Sequence, residues 1–306
     1  PAIIITYLVS FLVFYLFSKT SSTHHFEMPF KTLLNKSKAM LTLGFTLSFT
    51  SLILTLTLWL IQIFIRDLGG LEQVGYYAAG MLIINAYVGM IFNAMATDYF
   101  PRLSAINKDN NAIQKVVNEQ AEIAILLITP IITLFLLFKE LIIQILYTPS
   151  FLVITGIVTF GILGTLFKAV SFSLGYVIIA KGHSKVYIKT AIVFNILMLL
   201  ISVGSYKYGG LDGLGLGLLI YYFIHFLGIK WINAHLYKLR LSKHTLYLLL
   251  ISCVICISVY MALQIKGTFL RYCITSLLVL VSVVFTIMQL QKRVDFKALI
   301  KRGFKK

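Results

Sequence analysis

Lys168 is the residue whose type and position most invite a chemical reading. It lies inside an apolar run, 151–179, far from either end. A lysine at the centre of a membrane helix costs about 2.5–3.5 kcal/mol on insertion scales. It therefore needs a counter-charge, an aqueous cavity or an anionic ligand. No apolar run carries a central carboxylate, because Asp98, Glu119 and Glu122 all fall near run ends. Three solutions stay open: Lys168 snorkels, pairs with an acid outside this sequence, or meets an anionic substrate. A phosphate suits the point charge of a lysine.

Other polar residues recur at helical spacing within the apolar runs. Asn85, Gly89, Asn93 and Thr97 repeat every four residues, and Gly161, Gly164, Lys168, Ser171 and Gly175 every three or four. Gly217, Tyr221, His225 and Gly228 form a third stripe, and the run 40–65 is rich in hydroxyls. For glycines and hydroxyls the ordinary reading is close helix packing and bonding to the helix's own backbone. Asn85 and Asn93 are equally open to lining a cavity. His225 reads first as a hydrogen-bonded core residue.

Bond-making chemistry has little support. Cys253 and Cys256 are spaced C-x-x-C, but neither a basic group nor a helix N-terminus activates them, so they read as small buried hydrophobes. The sequence shows no phosphate-cradling glycine loop and no metal-ligand spacing. The expectation is a protein that is not an enzyme and uses no cofactor.

The elements that must position these residues follow from composition. Hydrophobic residues make up 59% of the 306 and charged residues 12%. A soluble domain carries roughly 25% charged residues. Runs of about twenty apolar residues predict membrane-spanning helices. Nine are expected, at 2–17, 40–65, 76–96, 121–138, 151–179, 187–205, 211–229, 245–263 and 272–290. The short run 141–147 is expected to lie at the interface. Pro1 already stands inside an apolar run, so a further N-terminal portion of the parent protein is expected.

The net charge of +17 could suggest nucleic acid, but the cations sit in short loops. Alternate loops are basic: Lys19, Lys31, Lys36 and Lys38; Arg102, Lys108 and Lys115; Lys181, Lys185 and Lys189; Lys230, Lys238, Arg240 and Lys243; then the tail from Lys292 to Lys306. The intervening loops hold only Arg66, Lys139, Lys207, Lys266 and Arg271. Basic loops face the cytoplasm. The C-terminus is therefore expected inside, with its basic tail against anionic headgroups.

Four stretches resemble one family. They are VGYYAAGMLIINAYVGMIFNAMATDYFPRLSAI from Val74 to Ile106, VVNEQAEIAILLITPI from Val116 to Ile131, LFKAVSFSLGYVIIAKG from Leu166 to Gly182, and YGGLDGLGLGLLIYY from Tyr208 to Tyr222. Together they resemble the O-antigen and lipid-linked oligosaccharide flippases of the multidrug/oligosaccharidyl-lipid/polysaccharide exporter superfamily. The resemblance spans roughly residues 25–240. It implies an all-α polytopic bundle with two six-helix lobes and a cationic central cavity. On that template 1–39 is the last helix of the first lobe with the inter-lobe loop, 40–240 is the second lobe, and 241–306 adds two helices and a basic tail. It further implies transport of an undecaprenyl-pyrophosphate-linked oligosaccharide across the bacterial inner membrane by alternating access. Lys168 would hold phosphates, Asn85, Asn93 and Ser171 would hydrogen-bond the cargo, and Asp98 and His225 would complete the site. The implied partners are that substrate, membrane lipids and other membrane proteins of polysaccharide assembly. The rival readings are a cation-coupled multidrug exporter, which would need embedded carboxylates, and a membrane polymerase or acyltransferase, which would need a larger external loop or a His-Asp pair.

Overall fold

The computed structural model describes residues 2–21 and 30–292, and every regular element among them is helical. The helices are α1 (Ala2–Ser21), α2 (Phe30–Gly69), α3 (Leu71–Ala105), α4 (Asn110–Leu146), α5 (Thr155–Ala180), α6 (Ser184–Tyr237), α7 (Lys243–Ala262) and α8 (Thr268–Gln291), with a 3-10 turn at Pro149–Ile154. The basic tail beyond Lys292 lies outside the described residues. An all-helical answer is what an apolar solvent demands, since a helix satisfies its own backbone hydrogen bonds.

Two compact units divide the chain, 1–44 and 45–306. In the first, α1 exposes apolar side chains all along its length, from Ile5 to Phe17. Phe11 and Tyr15, one turn apart, stack with ring centroids 6.3 Å apart.

In the second unit α4 is the central helix. It packs on α5, α7 and α8. Its Ile125, Leu126, Ile128, Ile132 and Leu136 are fully buried. Few polar groups enter this core unpaired. Thr133 shares a 2.7 Å hydrogen bond with Ser282 of α8, and the Thr286 hydroxyl donates to the Leu126 carbonyl. The hydroxyls of α2 behave as the sequence suggests: Thr50, Thr55 and Thr57 donate to carbonyls three or four residues back. The run 141–147 does not form an element of its own: up to Leu146 it is the end of α4.

Among the described residues six helices are long and apolar enough to cross a membrane, or seven if the bent α3 counts as one span. The sequence-based expectation was nine. Part of the difference is α6, whose 54 residues would be about 81 Å as one rod at 1.5 Å per residue. It is not one rod. Gly210 takes φ 55°, ψ −142°, a conformation open to glycine and not to residues with a Cβ. The chain folds back there, and the arms 184–209 and 211–237 run antiparallel. Phe194 meets His225 and Gly228, while Ser205 meets Gly213 and Gly217. The remaining difference lies in α1, a 20-residue helix of which Ile5–Ser18 is the apolar stretch among the described residues.

Helix directions alternate consistently. Gly164 lies against Tyr222, and the Asn233 amide donates to the Leu174 carbonyl, so α5 and the second arm of α6 are parallel. Gly161 against Ile84 and Tyr99 against Ser173 set α3 parallel to α5. Lys139 with Thr159 and Asn110 with Lys181 make α4 antiparallel to α5. The basic connections at 106–109, 181–183 and 238–242 therefore gather at one end of the unit. The cation-poor connections gather at the other.

Candidate functional site

Lys168 stands midway along α5, where the parallel α3 and second arm of α6 converge. Small residues permit the approach. A Cβ at Gly161 would strike Ile84 of α3, and one at Gly164 would come 2.7 Å from the Tyr222 ring. One turn beyond Gly164, the half-buried Lys168 projects between two aromatic residues. Its Nζ lies 5.7 Å from the Phe92 ring centroid and 5.4 Å from that of Tyr222. Both distances fall inside the roughly 6 Å range of cation–π attraction. Among the described residues the ion pairs all belong to Arg102, so no carboxylate lies within 4 Å of Lys168. No described carboxylate serves as its counter-charge, which agrees with the absence of a central acid in the apolar runs and leaves all three solutions open. Two ring quadrupoles partly compensate its charge, and its hydrogen-bond donors stay available for an anion.

The aromatic setting extends toward the basic end. Phe172 stacks with Phe92 at 5.0 Å and meets Tyr176 edge-on at 4.7 Å. The Tyr99 hydroxyl, fully buried, donates to the Ser173 carbonyl at 2.7 Å. The sequence analysis did not single out Phe92, Phe172 or Tyr222. Their spacing matches the lysine stripe only once α3 and the second arm of α6 are known to flank α5.

The other residues of interest distribute unevenly. His225 is half-buried against Phe194 at 4.5 Å and Tyr221 at 5.8 Å, packed among rings one turn past Tyr222. Ser171 is buried, and its hydroxyl donates to the Phe167 carbonyl at 2.7 Å. In this conformation that hydroxyl's proton is taken up by its own helix. Asn85 and Asn93 are exposed on α3, next in sequence to Ile84 and Phe92, which pack against α5. Lipid offers an amide no hydrogen bond, so those positions suit water or protein better than acyl chains. Asp98 is exposed at the basic end and paired with Arg102 at 3.1 Å; Glu119 lies 4.0 Å from the same guanidinium. The structure thus brings Lys168 and the aromatic residues around it together and leaves Asp98 outside that cluster.

A polar cluster absent from the sequence reading ties the basic end. Lys181 Nζ donates to the Asn107 carbonyl at 2.9 Å and to Asn110 Oδ1 at 2.8 Å. The Asn110 amide donates to the Tyr237 carbonyl, and the Tyr237 hydroxyl shares a 2.9 Å hydrogen bond with His183. A second cluster joins α4 to the start of α7. Asn118 Oδ1 accepts from the Ser242 amide and the Thr245 hydroxyl, and its own amide donates to the Gln114 and Arg240 carbonyls. Glu122, buried beside it, accepts from Thr245 at 2.7 Å. Ser242 also caps α7 by accepting from the Thr245 amide. Asn118→Leu keeps volume but leaves those donors and acceptors unpaired. It is expected to lower stability by about 2 kcal/mol, read as a drop in melting temperature of the detergent-solubilised protein; an unchanged melt would show the cluster to be dispensable.

Among the described residues no group of three or more His, Cys, Asp or Glu side chains is placed to hold a metal. Cys256 is buried and Cys253 half-buried, as expected; Cys273 is exposed on α8.

These features define a multi-pass helical membrane protein with one lysine set between aromatic rings midway along α5. A family model described as polysaccharide biosynthesis protein matches residues 1–156. The chain belongs to that family. No curated protein matches the sequence. A solved structure described as lipid II flippase MurJ, inward closed conformation, aligns with a TM-score of 0.56 at 13% identity, over 92% of this chain and 59% of that one. The chain therefore shares that fold and spans less than two thirds of that structure's length.

Proposed function

We propose that the protein to which this chain belongs is a flippase. It carries an undecaprenyl-pyrophosphate-linked oligosaccharide, an O-antigen or related repeat unit, across the bacterial inner membrane. The observation that carries this reading is Lys168, a half-buried cation in mid-helix with no carboxylate within 4 Å among the described residues. Membership of a polysaccharide biosynthesis family and a fold shared with a lipid II flippase support it. In the proposed cycle the pyrophosphate meets Lys168 while the lipid tail stays in the bilayer. Asn85 and Asn93 offer amides to the sugars, and His225 and Ser171 flank the same helix pair. Asp98 sits where cargo would enter from the cytoplasm. Alternating access then exposes the cargo outside, and no covalent bond is made or broken.

The test is complementation with the full-length gene in a host lacking its own O-antigen flippase and supplied with the donor's glycan pathway. Restored surface polysaccharide is expected. Lipid-linked units still held on the inner leaflet, with the protein present in the membrane, would sink the proposal.

The orientation is checked separately. With Cys273→Ser as background, Lys266→Cys is expected to react with an impermeant maleimide on intact cells. Lys185→Cys should react only after permeabilisation. Both positions are exposed loop or helix-end sites at opposite ends of the unit, so the reverse pattern would invert the topology.

A further inference from the structure

The cation-poor end holds Arg66, Lys139, Lys207, Lys266 and Arg271. Two of these, Lys139 and Arg271, line one cleft of about 550 Å³ between the end of α4, the end of α7 and the start of α8. Glu140 is the single carboxylate on its wall, so the lining is net positive. Among the described residues neither Lys139 nor Arg271 forms an ion pair within 4 Å; Glu140 attracts Lys139 from a longer distance, and Asp212 lines a neighbouring pocket that Lys139 shares. Lys139 Nζ donates to the Thr159 hydroxyl at 3.1 Å, leaving two of its three donors unused. The Arg271 guanidinium lies 4.9 Å over the Tyr272 ring, and its Nε is buried without a hydrogen-bond partner. A buried charged donor left unpaired is unfavourable, and an anion in the cleft would relieve it.

We propose that this cleft binds an anionic phospholipid, its phosphate held by Lys139 and Arg271. Arginine presents a planar fork to phosphate and lysine a point charge, a pairing suited to a phosphodiester. The apolar part of the wall favours a lipid over a free ion. Phe138 and Leu141, both largely exposed, flank Lys139 on α4, and Tyr272 follows Arg271 on α8. Acyl chains lie along those side chains while the headgroup stays at the helix ends. Gln264 and Ser276 supply neutral hydrogen-bonding groups for the headgroup's own polar substituents. The site uses α4, α7 and α8, whereas the Lys168 site uses α3, α5 and α6, and its occupancy is measurable without transport.

The experiment is native mass spectrometry of the detergent-purified full-length protein, titrated with dioleoyl phosphatidylglycerol or inorganic phosphate. Wild type is expected to retain phosphatidylglycerol. The Lys139→Gln/Arg271→Gln pair is expected to lose affinity by about tenfold or more, and Arg271→Lys by less. Lys266→Gln, in the neighbouring loop, is expected to bind as wild type does. Should the double variant fail to give a monodisperse protein, the single Arg271→Gln is read in its place, with a loss of several-fold expected. Equal retention by wild type and the charge-removed variants overturns the site. Displacement of the lipid by equimolar inorganic phosphate overturns the lipid assignment and leaves a free-anion site.

Discussion

Lys168→Met in the full-length protein is expected to cut polysaccharide display by about tenfold to a hundredfold while the protein still reaches the membrane at its normal level. Methionine keeps much of the lysine stem's packing against Phe92 and Tyr222 and removes only the charge. A charge-assisted hydrogen bond contributes about 1.5–3 kcal/mol. Its loss slows transport by about tenfold to a hundredfold, at about 1.4 kcal/mol per tenfold. Lys168→Arg keeps the charge and is expected to restore part of the activity. Three readouts separate the possibilities: surface polysaccharide, lipid-linked intermediate on the inner leaflet, and protein abundance. Display unchanged in Lys168→Met would remove the residue from the mechanism and leave it as a lysine held by two rings. Lower abundance in step with lower display would make its role structural. That outcome runs against magnitude, because cation–π contacts contribute only about 0.5–2 kcal/mol.

The second large effect is expected at Gly215. A Cβ there would come 2.6 Å from the Ile157 Cα and 2.8 Å from the Gly156 carbonyl oxygen. Both are main-chain atoms of the turn into α5, so no side chain can rotate away. Gly215→Val must push the second arm of α6 off α5, the most extensive helix pairing in the unit. Overpacking a well-filled core costs about 1–3 kcal/mol and sometimes more. With backbone as the obstacle, the upper part of that range is expected. Loss of a folded, monodisperse protein in detergent is the readout. Gly175 provides the contrast: it stands on α5 with nothing near the position of its absent Cβ. Gly175→Ala is expected to fall within about 0.5 kcal/mol of wild type. Equal behaviour of the two variants would mean that the close approach at Gly215 does not set the spacing of α5 and α6.

Membrane character and helical class were legible from hydropathy alone. A run of about twenty apolar residues has few stable alternatives in lipid, and each run reports its own burial. The alternation of basic loops was equally local, and it agrees with the grouping of connections at two ends. The turn at Tyr208-Gly209-Gly210 was expected between two runs, and the left-handed φ of Gly210 is its physical cause. Lys168 also stood out unaided, because one charge in an apolar run is a local anomaly whatever surrounds it.

What surrounds Lys168 was decided only by tertiary structure. Phe92, Tyr222 and Lys168 lie far apart in sequence and meet through the parallel packing of three helices. Nothing in an aromatic residue's own neighbourhood announces such a partner. The same holds for Ser171, whose place in the stripe said nothing of which way its hydroxyl would bond. Asn118 and Lys139 are further cases, one joined to α7 and the other bonded to Thr159 of α5 while lining a cleft beside α8. Helix identity is a property of contiguous residues exchanging one solvent for another. A site is a property of residues that helix packing brings into register, and that register depends on side-chain volumes along whole interfaces.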